Sequence, residues 1–197
     1  MKNPVKTYFP NGCTECGGEI QFLEEGLMYI CNECGRFCYA YKEATNFNLE
    51  FEPKGSLATL KVNKLRNSVR GVLSKLYKQR VSVQTKKGPM ETALINAVFA
   101  NYCLAIRNGE DVKYAYQVSG GSENKEVYVV DTGEIVKVSD GEYKGVSNRT
   151  KANIWLAKEM GMAIRECKIK NMLEPLLLKA YKICENGIKE AKRKSIY

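Results

Sequence analysis

Histidine is absent from this chain. Without an imidazole there is no Ser-His-Asp or Cys-His relay, no H-E-x-x-H metalloprotease helix and no mixed Cys/His zinc finger. No G-x-x-x-x-G-K-[ST] phosphate loop and no G-x-S-x-G elbow occurs either. Catalysis by Lys, Asp or Glu has no positive signal, and the expectation is a protein that is not an enzyme. Long apolar runs are missing too. The most apolar stretch, Ala93 to Ile106, is interrupted by Asn96 and Asn101, well short of the roughly 18 residues that a membrane helix needs. The N-terminal Met-Lys-Asn-Pro-Val-Lys-Thr-Tyr has no apolar core of the kind a secretion signal requires, so a cytoplasmic location is expected.

Cysteine, by contrast, is plentiful and patterned. Cys13-Thr-Glu-Cys16-Gly17-Gly18 and Cys31-Asn-Glu-Cys34-Gly35 are two C-x-x-C pairs separated by fourteen residues. That is the spacing of a four-cysteine zinc site, in which two thiolates from each of two tight knuckles complete a tetrahedron. Glycine directly after each pair suits a knuckle whose backbone N–H groups must point at sulfur. The intervening residues 19–30 read as strand, Glu-Gly turn, strand. Cys13, Cys16, Cys31 and Cys34 are therefore the expected ligands of a structural zinc in a zinc ribbon. Two redox dithiols, a disulfide-bonded hairpin or an iron site of the same geometry are the competing readings. Cys38 could replace one ligand but lacks a following glycine, and reads as a small buried apolar residue. Cys103, Cys167 and Cys184 are scattered, which fits a reducing compartment. Residues 12–50 offer little core of their own, so bound metal is expected to hold the ribbon together.

Acidic residues are lacking from one long stretch. None occurs between Pro53 and Met90, and residues 51–90 carry ten Lys/Arg against Glu52 alone, a net of +9. Residues 1–50 hold four Lys/Arg against seven Asp/Glu, a net of −3, while residues 91–147 sum to −4 and 148–197 to +7. Two basic blocks thus alternate with two acidic ones. Within the first basic block, Pro53-Lys-Gly-Ser56 punctuates the chain and Ser56 is placed as a helix N-cap. From Leu57 to about Val81 the pattern is helical: Leu65, Val69, Val72, Leu73 and Leu76 fall within roughly 100° of one another. Lys61, Lys64, Arg66, Arg70, Lys75 and Lys78 are left for the other faces. Surface helices usually interleave Glu with Lys at i,i+4, and this one does not. A phosphate backbone, or acidic residues elsewhere in the fold, would relieve that repulsion.

Further along, Pro89-Met-Glu reads as the opening of a second helix, running to about Arg107 and closed by Asn108-Gly109. Val112–Val118, Glu126–Val130 and Glu134–Val138 alternate, with glycine turns between them, as a three-stranded antiparallel meander. Tyr114, Tyr116 and Tyr128 lie on it, as half-buried sheet surface or as stacking platforms for bases. A third helix is expected from Ser147 to Met162, capped by Ser147 or Asn148, ended by Gly161, and burying Ile154, Trp155 and Ala157. Glu174-Pro175 opens a last helix whose apolar face is Leu176, Leu177, Ala180, Tyr181 and Cys184. Lys189–Lys194 is expected to be a frayed cationic tail.

In this order the chain resembles a zinc-finger-containing family of unknown function found mainly in bacteriophage and prophage proteins. The resemblance rests on the paired C-x-x-C, on Pro53-Lys-Gly-Ser-Leu-Ala58, and on Leu65-Arg66 with Leu73 and Tyr77. It resumes at Arg149-Thr-Lys-Ala-Asn-Ile-Trp-Leu-Ala157, Gly161 and Glu166-Cys-Lys-Ile169. About two thirds of the chain is covered, all but roughly Gln79 to Val146. Arg70 and Lys168 stand where such proteins usually carry histidine, and Asn153 where they carry tyrosine, so an activity that used those histidines is not implied here. The uncovered segment resembles an insertion.

The expectation is thus an α+β fold: a four-cysteine zinc ribbon over residues 1–52, packed on a small helical domain over 53–197, with a helix and three-stranded meander inserted at about 82–146. The expected function is non-enzymatic nucleic-acid binding by a phage-type protein, through phosphate contacts from Lys61, Lys64, Arg66, Arg70, Lys75 and Lys78. The alternative is an effector that docks on a host protein or defence complex through the inserted segment. Neither a membrane nor a small-molecule substrate is implied.

Overall fold

The computed structural model describes residues 4–44, 49–85, 88–99, 103–108, 111–120, 124–129, 134–139 and 143–195. The fold is mixed helix and sheet, and the chain divides into two compact units. Unit 1 comprises Met1–Ser68 with Lys168–Leu178; unit 2 comprises Val69–Cys167 with Lys179–Tyr197. The division falls within the basic helix, and Lys168–Leu178 returns to unit 1. Among the described residues, no helix is long and apolar enough to cross a membrane.

Unit 1 begins with a short helix, α1 (Pro4–Tyr8), followed by the strands β1 (Ile20–Leu23), β2 (Met28–Cys31) and β3 (Phe37–Tyr39). The strands form an antiparallel sheet in the order β1-β2-β3, with Ile20 opposite Cys31 and Phe22 opposite Tyr29. The strand-turn-strand pattern expected for residues 19–30 is present. Residues 45–48 of the expected connector lie outside the described residues.

Alternation sends Ile20, Phe22 and Tyr29 to one face, where α1 supplies Val5 and Tyr8, and Phe9 follows it. Tyr29 is fully buried, its ring 4.9 Å from Phe9 and 4.8 Å from Phe22, its hydroxyl donating to the Phe51 carbonyl at 2.8 Å. The ribbon segment is thus better cored than its own residues suggested, because the sequence before residue 12 and after residue 50 completes the cluster.

The basic helix, α2, runs Leu60–Lys78. It starts three residues later than a Ser56 cap would place it. Thr59 sits at the cap position, its Oγ1 accepting from the Val62 N–H at 3.3 Å. Ser56 instead serves Arg66: its carbonyl and hydroxyl accept from the guanidinium at 3.0 and 2.8 Å. Asn63, one turn into the helix, donates to the carbonyls of Phe37 and Ala58 at 3.3 and 3.4 Å, tying α2 to β3. Phe37 and Ala58 also form an isolated antiparallel bridge. Gly55 is needed where the chain passes residue 170, since a Cβ there would lie 2.6 Å from the Lys170 carbonyl oxygen.

Unit 2 differs most from expectation. The stretch starting at Pro89 is not a long helix: β4 (Arg80–Thr85) pairs with β5 (Gly88–Ala93) in a two-stranded hairpin. Each strand of a lone hairpin keeps a free edge, where the missing proline N–H costs nothing. A short helix, α3 (Leu94–Val98), follows, and the apolar run then continues as β6 (Cys103–Asn108). Short apolar runs have no period that separates strand from helix, which is why this one misled.

The expected meander exists as β7 (Asp111–Gly120), β8 (Asn124–Val129) and β9 (Ile135–Ser139), inside a larger five-stranded sheet. With β10 (Tyr143–Gly145), the order is β10-β6-β7-β8-β9. Gly109 and the expected turns at Gly121-Ser122 and Thr132-Gly133 lie outside the described residues. Ala115, Val127, Val129 and Val138 bury one face.

One helix and the part of another from Lys179 onward complete the unit. In α4 (Asn148–Met160), Ser147 is the N-cap, accepting from the Thr150 N–H, and Gly161 closes the helix in the left-handed conformation. Ile154, Trp155 and Ala157 are buried, as expected. A single 3-10 turn at Ile169–Asn171 precedes α5 (Glu174–Arg193). Of its expected apolar face, Leu177, Ala180 and Cys184 are buried, but Leu176 is exposed. The terminal basic residues are not frayed: the helix continues to Arg193 and Ala191 is fully buried, which anchors that last turn.

Candidate metal centre

Each C-x-x-C pair closes in the same way. The Gly17 N–H donates to the Cys13 carbonyl at 2.8 Å and the Gly35 N–H to the Cys31 carbonyl at 3.0 Å. Both glycines have positive φ, +73° and +64°, which a side chain would resist. The Cys13 N–H then donates to the Gly18 carbonyl and the Cys31 N–H to the Arg36 carbonyl, both at 2.9 Å. The result is two copies of one knuckle, the second growing out of the end of β2.

The knuckles bring the four sulfurs of Cys13, Cys16, Cys31 and Cys34 within 4.8 Å of one another. Cys13 and Cys34 are 3.8 Å apart, Cys16 and Cys31 3.5 Å. A tetrahedron with metal–sulfur bonds of 2.3 Å has edges of about 3.8 Å. The donor set therefore fits a four-coordinate metal ion, and all four cysteines are free thiols. Cys38 is buried nearby but is not in the cluster; burial pushes its thiol up to about 12 while Arg66 pulls the other way.

Charge is distributed unevenly over the cluster. The Arg36 N–H and guanidinium both hydrogen-bond to Cys34 and bring its thiol down to about 6. At Cys16 the Gly18 N–H also favours the thiolate, yet sharing protons with Cys31 and Cys34 pushes the thiol up to about 12. A bound cation removes that competition, since each sulfur then donates to metal and not to its neighbour. Arg36 also reaches the Glu15 carboxylate at 3.7 Å. The signal for this layer was in the sequence: both pairs read C-x-E-C-G, and the next residue is Gly18 in one and Arg36 in the other.

The cations expected to contact phosphate do not form one set. Lys61, Lys64, Arg70, Lys75 and Lys78 are exposed on α2. Arg66 is a correction: it is 3% exposed and its guanidinium donates to Ser56, to the Asn63 side chain at 3.3 Å and to the Met172 carbonyl at 3.3 Å. It holds three segments of unit 1 together and presents no charge to a ligand. Lys61 pairs with Glu174 at 2.6 Å on the surface. Among the described residues, no ion pair involves Lys64, Lys75 or Lys78. On the sheet of unit 2, Tyr128 is 39% exposed and Tyr114 half-buried; the Tyr116 side chain lies outside the described residues.

An open groove of about 940 Å³ runs beside the first knuckle, lined among others by Val5, Phe9, Gly17, Gly18, Phe22 and Asn32. It follows β1, the edge strand of its sheet. Compared with protein-family models, curated proteins and solved structures, the chain matches none.

Proposed function

We propose that this is a zinc-ribbon protein, of the phage-encoded type its sequence resembles, in which a structural zinc on Cys13, Cys16, Cys31 and Cys34 supports a nucleic-acid-binding helix. Four protein thiolates leave zinc no open position for water, so the metal stabilises the knuckles and performs no chemistry. Iron in the same tetrathiolate is the alternative ion, and metal analysis of the purified protein distinguishes them. Neither metal being present would sink this half of the reading.

The observation that carries the nucleic-acid half is the exposed lysine stripe on α2. At 100° per residue, Lys61, Lys64, Lys75 and Lys78 fall within about 100° of one another, on the flank next to the buried Val69, Val72 and Leu76. Arg70 lies to one side. Such a stripe offers phosphate contacts with little base selectivity. Replacing Lys75 and Lys78 by Gln should weaken binding to a 30-mer duplex and lower the salt slope by about 2, roughly 0.9 for each phosphate that is no longer neutralised. Equal affinity and equal slope in the variant would refute the assignment.

A second reading is a factor that docks on a host protein through the open groove along β1, in place of the inserted segment at about 82–146 that the sequence suggests. Pull-down from nuclease-treated bacterial lysate separates the two. A stoichiometric protein partner lost on substituting Gln21 by Pro, with nucleic-acid binding negligible, selects the second.

A further inference from the structure

The two knuckles are copies in sequence and in hydrogen bonding, and the difference between them falls on the metal centre. Glu15 and Glu33 occupy the same position in the two C-x-E-C-G motifs, as do Gly18 and Arg36 just after them. Across the site each glutamate meets the other knuckle's last residue. Arg36 reaches the Glu15 carboxylate at 3.7 Å. Glu33 packs over Gly18 so closely that a Cβ there would collide with its side chain and lie 3.1 Å from the Cys31 sulfur. One crossing is an ion pair and the other is contact between carbon atoms.

The sulfurs inherit this asymmetry. Cys34 receives two kinds of hydrogen bond from Arg36, backbone and guanidinium, whereas Cys16 receives only the Gly18 backbone N–H from the equivalent position. Cys13 and Cys31 are 2% and 1% exposed, Cys34 is half-buried and Cys16 is open to solvent. Donors to a metal-bound thiolate withdraw electron density and fix its orientation, so they slow both its attack on electrophiles and its departure from the metal. Four thiolates on a divalent ion also leave two negative charges, which one guanidinium partly offsets.

We propose that Arg36 is the positioning residue of this centre, a latch that joins the two knuckles and holds Cys34 on the metal, leaving Cys16 as the ligand that electrophiles and competing chelators reach first. The inference rests on the tetrathiolate reading above. It makes Cys16 the point of modification and of metal exchange.

The test uses full-length protein loaded with zinc, its metal content measured first, and N-ethylmaleimide in less than molar amount. The Cys16 sulfur forms a bond to one alkene carbon, the C=C π bond opens, and the other carbon takes a proton from water. Peptide mass spectrometry then ranks the labelled cysteines. Among the four ligands Cys16 should lead, with Cys34 at least about tenfold slower, the scale at which groups around a metal site tune it. Arg36→Met should bring Cys34 close to Cys16 and speed zinc transfer to 4-(2-pyridylazo)resorcinol about tenfold. Arg36→Lys should lie between the two. Glu15→Gln, which leaves both donors to Cys34 in place, keeps the labelling order while speeding transfer less, and so tests the latch even if Arg36→Met folds poorly. Equal labelling of Cys16 and Cys34 in the loaded wild type, or unchanged order and transfer rate in Arg36→Met, overturns the latch alone. Failure to bind zinc at all overturns the tetrathiolate reading and the latch with it.

Discussion

Unit 1 buries a single tyrosine among aromatic rings and gathers four thiols at one end of a small sheet, while unit 2 buries Val69, Leu73, Leu76, Leu94, Ile95, Ile154, Trp155 and Leu156 from several helices. The first has a core of few residues, supplemented by a candidate metal centre and by a buried arginine that satisfies backbone carbonyls. The second has enough aliphatic surface to need neither. Small cores are marginal because too little of their surface leaves water, and metals are a common supplement. The lesson is that stability in this protein is local in origin, and the two units should respond to different insults.

Removing the proposed zinc should have the largest effect. Structural zinc contributes about 10–16 kcal/mol of apparent binding free energy in small domains. Cys31→Ser, or chelation of the wild type, should abolish amide-exchange protection at Tyr29 and Cys38 while leaving protection in α4 and in α5 beyond Ala180. Simultaneous loss in both units would break the comparison. Acid should act in the same direction, since protons compete with metal for thiolates and the bound form is favoured as pH rises. Metal release on titrating downward, read with a chelator dye, checks the sign.

Tyr29→Ala comes next, at about 3–5 kcal/mol for emptying a fully buried aromatic site, measured by urea unfolding of the metal-loaded protein. Arg66→Met follows. It strands the Ser56 and Met172 carbonyls at about 1–3 kcal/mol each, and it should leave the salt dependence of the proposed nucleic-acid binding unchanged, in contrast to the Lys75 and Lys78 changes. A reduced salt slope in a folded Arg66→Met protein would restore Arg66 to the phosphate-facing set.

The smallest effect probes unit 2. In Gly187→Ala the new Cβ would meet the Trp155 ring at 2.6 Å, costing about 1–3 kcal/mol of overpacking, against which better helix propensity returns about 1. The net change in thermal midpoint should be a few degrees at most. A larger loss confined to unit 1 would contradict the independence of the two cores.

Much of the fold was legible from local signals. The knuckles, the β1–β2 hairpin and both ends of α4 follow from short-range rules: cysteine spacing, glycine at positive φ, a Ser147 cap and a Gly161 stop. The segment from Pro89 to Arg107 carries an apolar run with no decisive period, and pairing decides for strand at its two ends, with Arg80–Thr85 at the first and with β7 and β10 at the second. Leu176 fitted an apolar helical face on the wheel, yet its side is left open.

The amino-acid order alone determined which four cysteines could share an ion, because a C-x-x-C-G knuckle closes through hydrogen bonds between residues four and five apart. It also determined that α2 would carry a lysine stripe, since that follows from residue spacing on one helix. Tertiary structure decided which cations remain available: Arg66 is no different from Arg70 in the linear pattern, but Ser56 and Met172 meet it from 10 and 106 residues away. It also decided that Arg36 faces Glu15, a pairing between two knuckles that no local rule specifies. Interactions made over short separations can be read from spacing, whereas those made across the fold depend on how every intervening element packs.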